Sequence, residues 1–290
     1  YNEAIPLYHR ALKIHEEQLE SDAFDVIEIL YKLGLCYELQ SDYAEAESLT
    51  QRALDILEKK NGPDDLDVAL TLAQLGKLKR KQEKYSEAEP YYQRALKIRE
   101  KKLGPEHLDV AWTHTELAIF YEIQKKYAEA EPYFQSALKI HEKQLEPDDL
   151  NVAQCLYNLA DIYEDQKKYD EAEPLYQRAL AIREKKLGPE HLDVATVLNT
   201  LGAFHEHQKK YIEAEPHFQR ALKIREKQLE PDNLSVAQSL RNLAITYEKQ
   251  QKYDEAEPLY KRALAIGEKK LGPEHLNVAS VLNTLGAFHE

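Results

Sequence analysis

The chain of 290 residues carries 39 basic and 52 acidic side chains, a formal charge of −13, which repels nucleic acid and anionic lipid and sets both aside as general partners. No apolar run reaches the 18 or so residues that span a bilayer, so a soluble, cytoplasmic protein without a membrane partner is expected. Cys36 and Cys155 stand far apart with no CxxC neighbour or histidine cluster, which argues against a disulfide framework or zinc site and for two reduced core thiols.

The chain lacks methionine and starts and stops in mid-pattern, so a fragment of a longer protein is expected. Tyr1, Tyr43, Tyr85, Tyr127, Tyr169, Tyr211 and Tyr253 mark an unbroken 42-residue step, the signature of a solenoid built from one supersecondary unit. Apolar letters recur at helical spacing within each step. One all-α solenoid domain over 1–290 is predicted, with about fourteen antiparallel helices in units starting near 1, 43, 85, 127, 169, 211 and 253.

The first helix of each pair is expected to open at Asp25, Asp67, Asp109, Asn151, Asp193, Ser235 or Asn277, all residues that can cap free N–H groups. Its core face carries one leucine column at Leu30, Leu72, Leu156, Leu198, Leu240 and Leu282, and another at Leu33, Leu75, Leu117, Leu159, Leu201, Leu243 and Leu285. Beside the second column only glycine or alanine occurs (Gly34, Gly76, Ala118, Ala160, Gly202, Ala244, Gly286), so a close approach to the second helix through Ala46, Ala88, Ala130, Ala172, Ala214 and Ala256 is expected. One hairpin buries too little by itself, and stacking on neighbours supplies the rest.

The second helix is expected to open just after each tyrosine. Ser86 with Glu89, Asp170 with Glu173 and Asp254 with Glu257 have capping-box spacing, followed by Pro90, Pro174 and Pro258 as start signals. Gly62, Gly104, Gly188 and Gly272 stand where a left-handed residue closes a helix, each before a proline. Other carboxylates are expected as caps or as partners of lysines four residues away, as around Glu184 and Lys185.

Leu159, Ala160, Tyr163, Tyr169, Ala172, Tyr176 and Ala179 match the L-G/A-Y, Y-A-Y/F-A signature, and the chain resembles the tetratricopeptide repeat. Its 42-residue step and the stretch EAEPLYQRALAIREKKLGPEHLDVA are similar to the repeats of kinesin light chains and their bacterial relatives. The resemblance implies an α-α superhelix whose first helices line a concave groove for peptide segments of other proteins. In kinesin light chains an asparagine on that inner face holds the ligand backbone; the position here is Asn158 and Asn242, with Lys32, Gln74, Glu116, Thr200 and Thr284 in the other units.

In an array whose packing columns are occupied, function is expected at exposed positions that vary between copies. On the first helices these include Tyr31 and Lys32; Leu70, Gln74 and Lys77; Trp112, Thr115 and Glu116; Gln154, Tyr157, Asn158 and Asp161; Asn199; and Gln238, Arg241 and Asn242. Amides can pair with a peptide backbone and aromatics can hold anchors, so a protein or peptide partner is predicted. The stretch KLKRKQEK holds Lys77, Lys79, Arg80 and Lys81; other units carry tyrosine or histidine where Lys79 stands and Glu38, Glu122, Glu164, Glu206, Glu248 and Glu290 where Arg80 stands. This suggests an acidic groove with one positive point near Lys77 and Arg80 for an acidic segment or a chain terminus.

No nucleotide, metalloprotease or hydrolase motif occurs, so neither an enzyme nor a cofactor is expected. The loop histidines His107, His191 and His275 stand 84 residues apart, and His205 and His207 face different ways on one helix, so no metal site is predicted. A second reading is a structural spacer, or an array that self-associates end to end. His114 stands in a leucine column, and we expect His114→Leu to leave the melting temperature unchanged or raised; a large loss would show that the imidazole makes a needed bond.

Overall fold

A computed structural model describes residues 3–17 and 23–287, with Ala23, Asn277 and Ala287 as backbone alone. Among these residues there are fourteen α-helices and no strand. They fall into two compact units, Tyr1–Leu145 and Glu146–Glu290, each taken by itself below. The first contains α1 (Ala4–Glu17), α2 (Ala23–Leu39), α3 (Tyr43–Asn61), α4 (Leu66–Lys81), α5 (Tyr85–Leu103), α6 (Leu108–Ile123) and α7 (Tyr127–Gln144). The second contains α8 (Leu150–Asp165), α9 (Tyr169–Leu187), α10 (Leu192–His207), α11 (Tyr211–Gln228), α12 (Leu234–Lys249), α13 (Tyr253–Leu271) and α14 (Leu276–Ala287). Within each unit the even-numbered helix packs most closely on the odd-numbered helix that follows it. Each unit is thus an all-α stack of hairpins, as expected.

Both leucine columns are buried except for Leu282, which is 47% exposed. Burial of each leucine contributes roughly 1.5–3 kcal/mol. The facing alanines Ala46 through Ala256 are fully buried, but alanine is not what fills the space beside two of the glycines. A Cβ on Gly76 would stand 3.0 Å from the Tyr92 ring, and one on Gly202 would stand 2.7 Å from the Phe218 ring. Tyr92, Phe134, Tyr176, Phe218 and Tyr260 form a buried aromatic column on the second helices. The marker tyrosines pack beside it: Tyr85 meets Phe120 edge-on at 6.2 Å, and Tyr169 meets Phe204 at 5.9 Å.

The helix ends differ from the sequence reading in three ways. First, the caps of the first helices lie two residues earlier than expected, at Asp65, His107, Asp149, His191 and Asn233. Each side chain accepts from the N–H of Asp67, Asp109, Asn151, Asp193 or Ser235, over 2.7–3.1 Å. The expected caps lie inside the first turn, where Asp67, Asp109 and Asp193 meet the positive end of the helix dipole instead. His107 and His191 cap through Nδ1, which accounts for their 84-residue recurrence. The side chain of Asn277 lies outside the described residues.

Second, Ser86, Asp170 and Asp254 form no capping box, because their helices open one residue earlier, at Tyr85, Tyr169 and Tyr253, after lysines that give no side-chain cap. Pro90 is then the sixth residue of its helix, and its missing N–H leaves the Ser86 carbonyl without its helical donor. Third, Gly62, Gly104, Gly188 and Gly272 have positive φ as expected, but with ψ of 152–163°. That extended region is open essentially to glycine alone. The left-handed turn belongs to the first helices, at Ser41, Glu83, Lys125, Lys167, Lys209 and Gln251, with φ of 58–63°. There Lys84 N–H bonds the Lys79 carbonyl and Glu83 N–H bonds the Arg80 carbonyl, a Schellman closure without glycine.

The repeated charges also pair differently from the i,i+4 expectation. Glu184 bonds Arg220 at 2.5 Å and Asp148 bonds Lys185 at 2.5 Å, each joining consecutive repeats. Arg94 with Glu58, Lys101 with Asp64, Lys227 with Glu190 and Lys269 with Asp232 repeat the arrangement. Lys185 and Lys186 together hold the Asp148 carboxyl down at about 2. These are surface pairs, in which solvent screening and side-chain entropy offset most of the attraction.

The non-glycine left-handed turns and the extended glycines yield opposite expectations. Lys167→Gly relieves a side chain held at φ 62° and should stabilise the chain by up to about 1 kcal/mol. Gly188→Ala, at φ 90° and ψ 152°, should cost about 1–3 kcal/mol. Urea denaturation midpoints of the two variants test both, and equal signs would refute the assignment.

Candidate functional site

In each unit the variable positions of the even-numbered helices meet side by side. In the first unit, Tyr31 on α2 shares a hydrogen bond with Thr71 on α4, and burial raises its pKa. Gln74 donates to Glu38 at 2.7 Å, and Lys77 pairs with the same carboxylate at 2.7 Å. Arg80 reaches Glu116 on α6 at 3.4 Å. Lys32 pairs with Glu28 within its own helix at 2.5 Å, and Thr115 donates to the Ala111 carbonyl. Leu70 and Trp112 are half exposed.

The basic stretch therefore differs from a free positive point. Lys79 is buried between Glu47 at 2.8 Å and Glu87 at 2.5 Å, while Lys77 and Arg80 are held by Glu38 and Glu116. The acidic column is engaged as well. Glu164 accepts from Tyr176 at 2.9 Å and lies 2.8 Å from His207, and Glu248 accepts from Tyr260 at 2.8 Å. Half-burial of Glu206 raises its pKa, which favours its neutral form relative to an exposed carboxylate. Glu290 lies outside the described residues.

The second unit presents amides and hydroxyls instead. Gln154 donates to Asn158 at 2.6 Å and Gln238 to Asn242 at 2.7 Å, while Asn242 donates to Asn199 at 2.9 Å. Tyr157 and Thr200 share a bond of 2.9 Å, and Arg241 reaches Ser280 at 3.5 Å. Asp161 is drawn away from this row by the hydroxyl of buried Tyr176, which donates to it at 2.5 Å.

Reading only the first helices missed three arginines that reach the row from the second helices. The buried Arg99 guanidinium bonds Thr113 at 2.6 Å and lies 4.8 Å from the Trp112 ring centroid, a cation–π contact that steadies the half-exposed indole. Arg183 bonds Gln154 at 2.8 Å and lies over Tyr157 at 5.3 Å; Arg225 bonds Ser239 at 2.6 Å. The available sequence signal was a helix column of Leu57, Arg99, His141, Arg183, Arg225 and Gly267, polar and variable beside invariant apolar neighbours.

Helix hairpins at a 42-residue step, with small residues seated against buried aromatics and variable polar side chains in a row on alternate helices, define a helical-repeat protein. A tetratricopeptide repeat model matches residues 1–59, 25–101, 67–122, 109–185, 158–203, 193–269 and 244–290, and the chain belongs to that family. The crystal structure of BtubC (BKLC) from P. vanneervenii is similar at TM-score 0.69 and 26% identity, covering 81% of this chain and 92% of that one. The nearly identical TPR-like repeats of a kinesin-light-chain-type protein from Podosopora anserina give 0.64 and 22%, covering 71% and 97%. A signal-transduction ATPase with numerous domains and a tetratricopeptide repeat sensor, from Pyrococcus horikoshii, gives 0.73 and 19%; the match covers 98% of this chain and 42% of that protein. Among curated protein sequences none matches. Among the described residues there is no candidate metal cluster and no helix long and apolar enough to cross a membrane.

His205 lies buried with its ring stacked on His217 at 5.4 Å, and its Nδ1 has no hydrogen-bond partner. Burial pushes both pKa values down, opposed at His205 by Glu173 and reinforced at His217 by His205; Lys210, Glu213 and Arg220 complete the charged surroundings. A folded pKa below the unfolded one means that the unfolded chain binds more protons, so stability is full above about pH 6.5 and falls as the pH drops below it. The urea midpoint should decline between pH 7 and 5, and His205→Tyr with His217→Leu, residues of the sister hairpins, should reduce that decline. An unchanged pH profile would refute the assignment.

Proposed function

We propose that the row on α8, α10 and α12 receives an extended segment of a partner protein, making the chain a non-catalytic adaptor or scaffold with a cytoplasmic setting. The observation that carries this reading is the set of accessible amides at Gln154, Asn158, Asn199, Gln238 and Asn242, already bonded to one another along α8 and α12 and, from Asn242 to Asn199, across helices. Each amide offers both a donor and an acceptor, as a peptide backbone does. Exchanging one such bond for a backbone bond changes the free energy by only about 0.5–1.5 kcal/mol, so several bonds and an apolar anchor must act together. In the first unit, taken by itself, Leu70 and Trp112 over Arg99 are candidate anchors for that unit's own row. An acidic segment at Lys77 and Arg80 would have to displace Glu38 and Glu116, so the amides rather than those cations carry the proposal. The two cysteines are buried thiols outside any disulfide, in keeping with a reducing compartment.

Selection of a random peptide library on the immobilised chain tests this reading. Enriched peptides should bind Asn158→Ala with Asn242→Ala at least about tenfold more weakly, while Lys227→Ala, remote on an outer ion pair, should leave binding unchanged. Undiminished binding to the double variant refutes the groove. Mass that grows with concentration in sedimentation equilibrium, with no enriched peptide, would favour the self-associating spacer.

A further inference from the structure

The stretch at 168–195 recurs at 252–279 with 25 of 28 letters unchanged, and one of the three differences replaces Arg183 by Gly267. At the sister positions Arg99, Arg183 and Arg225, a long side chain fills the space between its own helix and the neighbouring first helices. At Gly267 no side chain does so, and a cavity of about 310 Å³ opens there between α12, α13 and α14. Its walls include Leu234, Leu264, Leu271, Val278 and Val281. Gln238 and Arg241 of the inner row also line it, so the cavity is continuous with the face proposed above.

We infer that this cavity is a specificity pocket for one unbranched or γ-branched aliphatic side chain, of leucine or methionine size, carried by the partner segment. The inference rests on the groove reading and adds the chemistry of an anchor to it. Three features fix the occupant. The cavity opens where the sister copy holds the stem of Arg183. The facing column is apolar here: Val281 stands where Thr113 and Ser239 accept from the arginine of the preceding hairpin, and its sister Val197 is valine as well. No carboxylate lines the cavity, so a guanidinium or ammonium group entering it would lose water without gaining a counter-charge. An aliphatic side chain loses no hydrogen bond and gains the burial of its apolar surface. A Cβ on Gly267 would stand 3.3 Å from Val278 Cγ2, so the valine would have to yield by a few tenths of an ångström.

Methyl NMR of the whole chain, titrated with N-acetyl-leucinamide as the probe, tests the pocket without any partner protein. The Val278 and Val281 methyl signals should shift saturably with N-acetyl-leucinamide and with N-acetyl-methioninamide, and not with N-acetyl-argininamide. Gly267→Arg, which restores the sister residue, should abolish the shifts. Val281→Thr, drawn from the same column as Thr113, should weaken binding several-fold and serves in place of Gly267→Arg if that variant loses helicity. Shifts that persist undiminished in both variants, an argininamide response as strong as that of leucinamide, or no saturable shift up to the solubility limit would each overturn the pocket. Probe binding without any library peptide selected on Asn158 and Asn242 would show that the groove reading has failed while the cavity stands; peptide selection without probe binding would show the reverse.

Discussion

The closeness of each hairpin depends on a single juxtaposition, a small residue on the first helix against a buried aromatic ring or its equivalent on the second. At Gly202 the Phe218 ring occupies the space where a Cβ would stand, so the separation of the two helices is set by glycine and the ring together. The leucine columns can interlock only at that separation, and the inner row follows from it. Tyr157 can reach Thr200, and Asn242 can reach Asn199, because successive first helices are held at hydrogen-bonding distance by the hairpins behind them. The hydrogen-bonded row on one face is thus a consequence of packing on the other.

The fold was largely legible in the sequence because its determinants are periodic. Leu33 and its equivalents, Ala46 and its equivalents, and the tyrosine step recur at every unit, and repetition separates signal from drift. Helix ends were less legible. Asp67 and Asp65 are both competent caps in sequence, and backbone geometry chose Asp65; an imidazole cap such as His107 lies outside the usual set of capping residues. The left-handed turns were invisible because Lys167 and Glu83 carry no sequence mark of positive φ, their conformation being imposed by the close return of the chain into the next helix.

The contacts made by the row on the even-numbered helices were not legible in the sequence. Lys77 and Arg80 are conspicuous as letters, and only the packing of α4 between α2 and α6 brings Glu38 and Glu116 to them. The opposite error concerned Arg99 and Arg183, which belong to second helices yet extend far enough to touch Trp112 and Tyr157. A long flexible side chain can act at a face other than the one its helix position suggests.

The outer ion pairs bear on how such a chain changes length. Lys101 with Asp64, Lys185 with Asp148 and Lys269 with Asp232 place the same complementary charges at every second repeat boundary. Two hairpins excised or copied in register would leave matching partners at the new boundary, with no orphaned charge and no change of handhold. Unequal recombination within the coding repeat can therefore lengthen or shorten the array at little energetic cost, while a single exchanged letter such as Gly267 gives one copy an identity of its own.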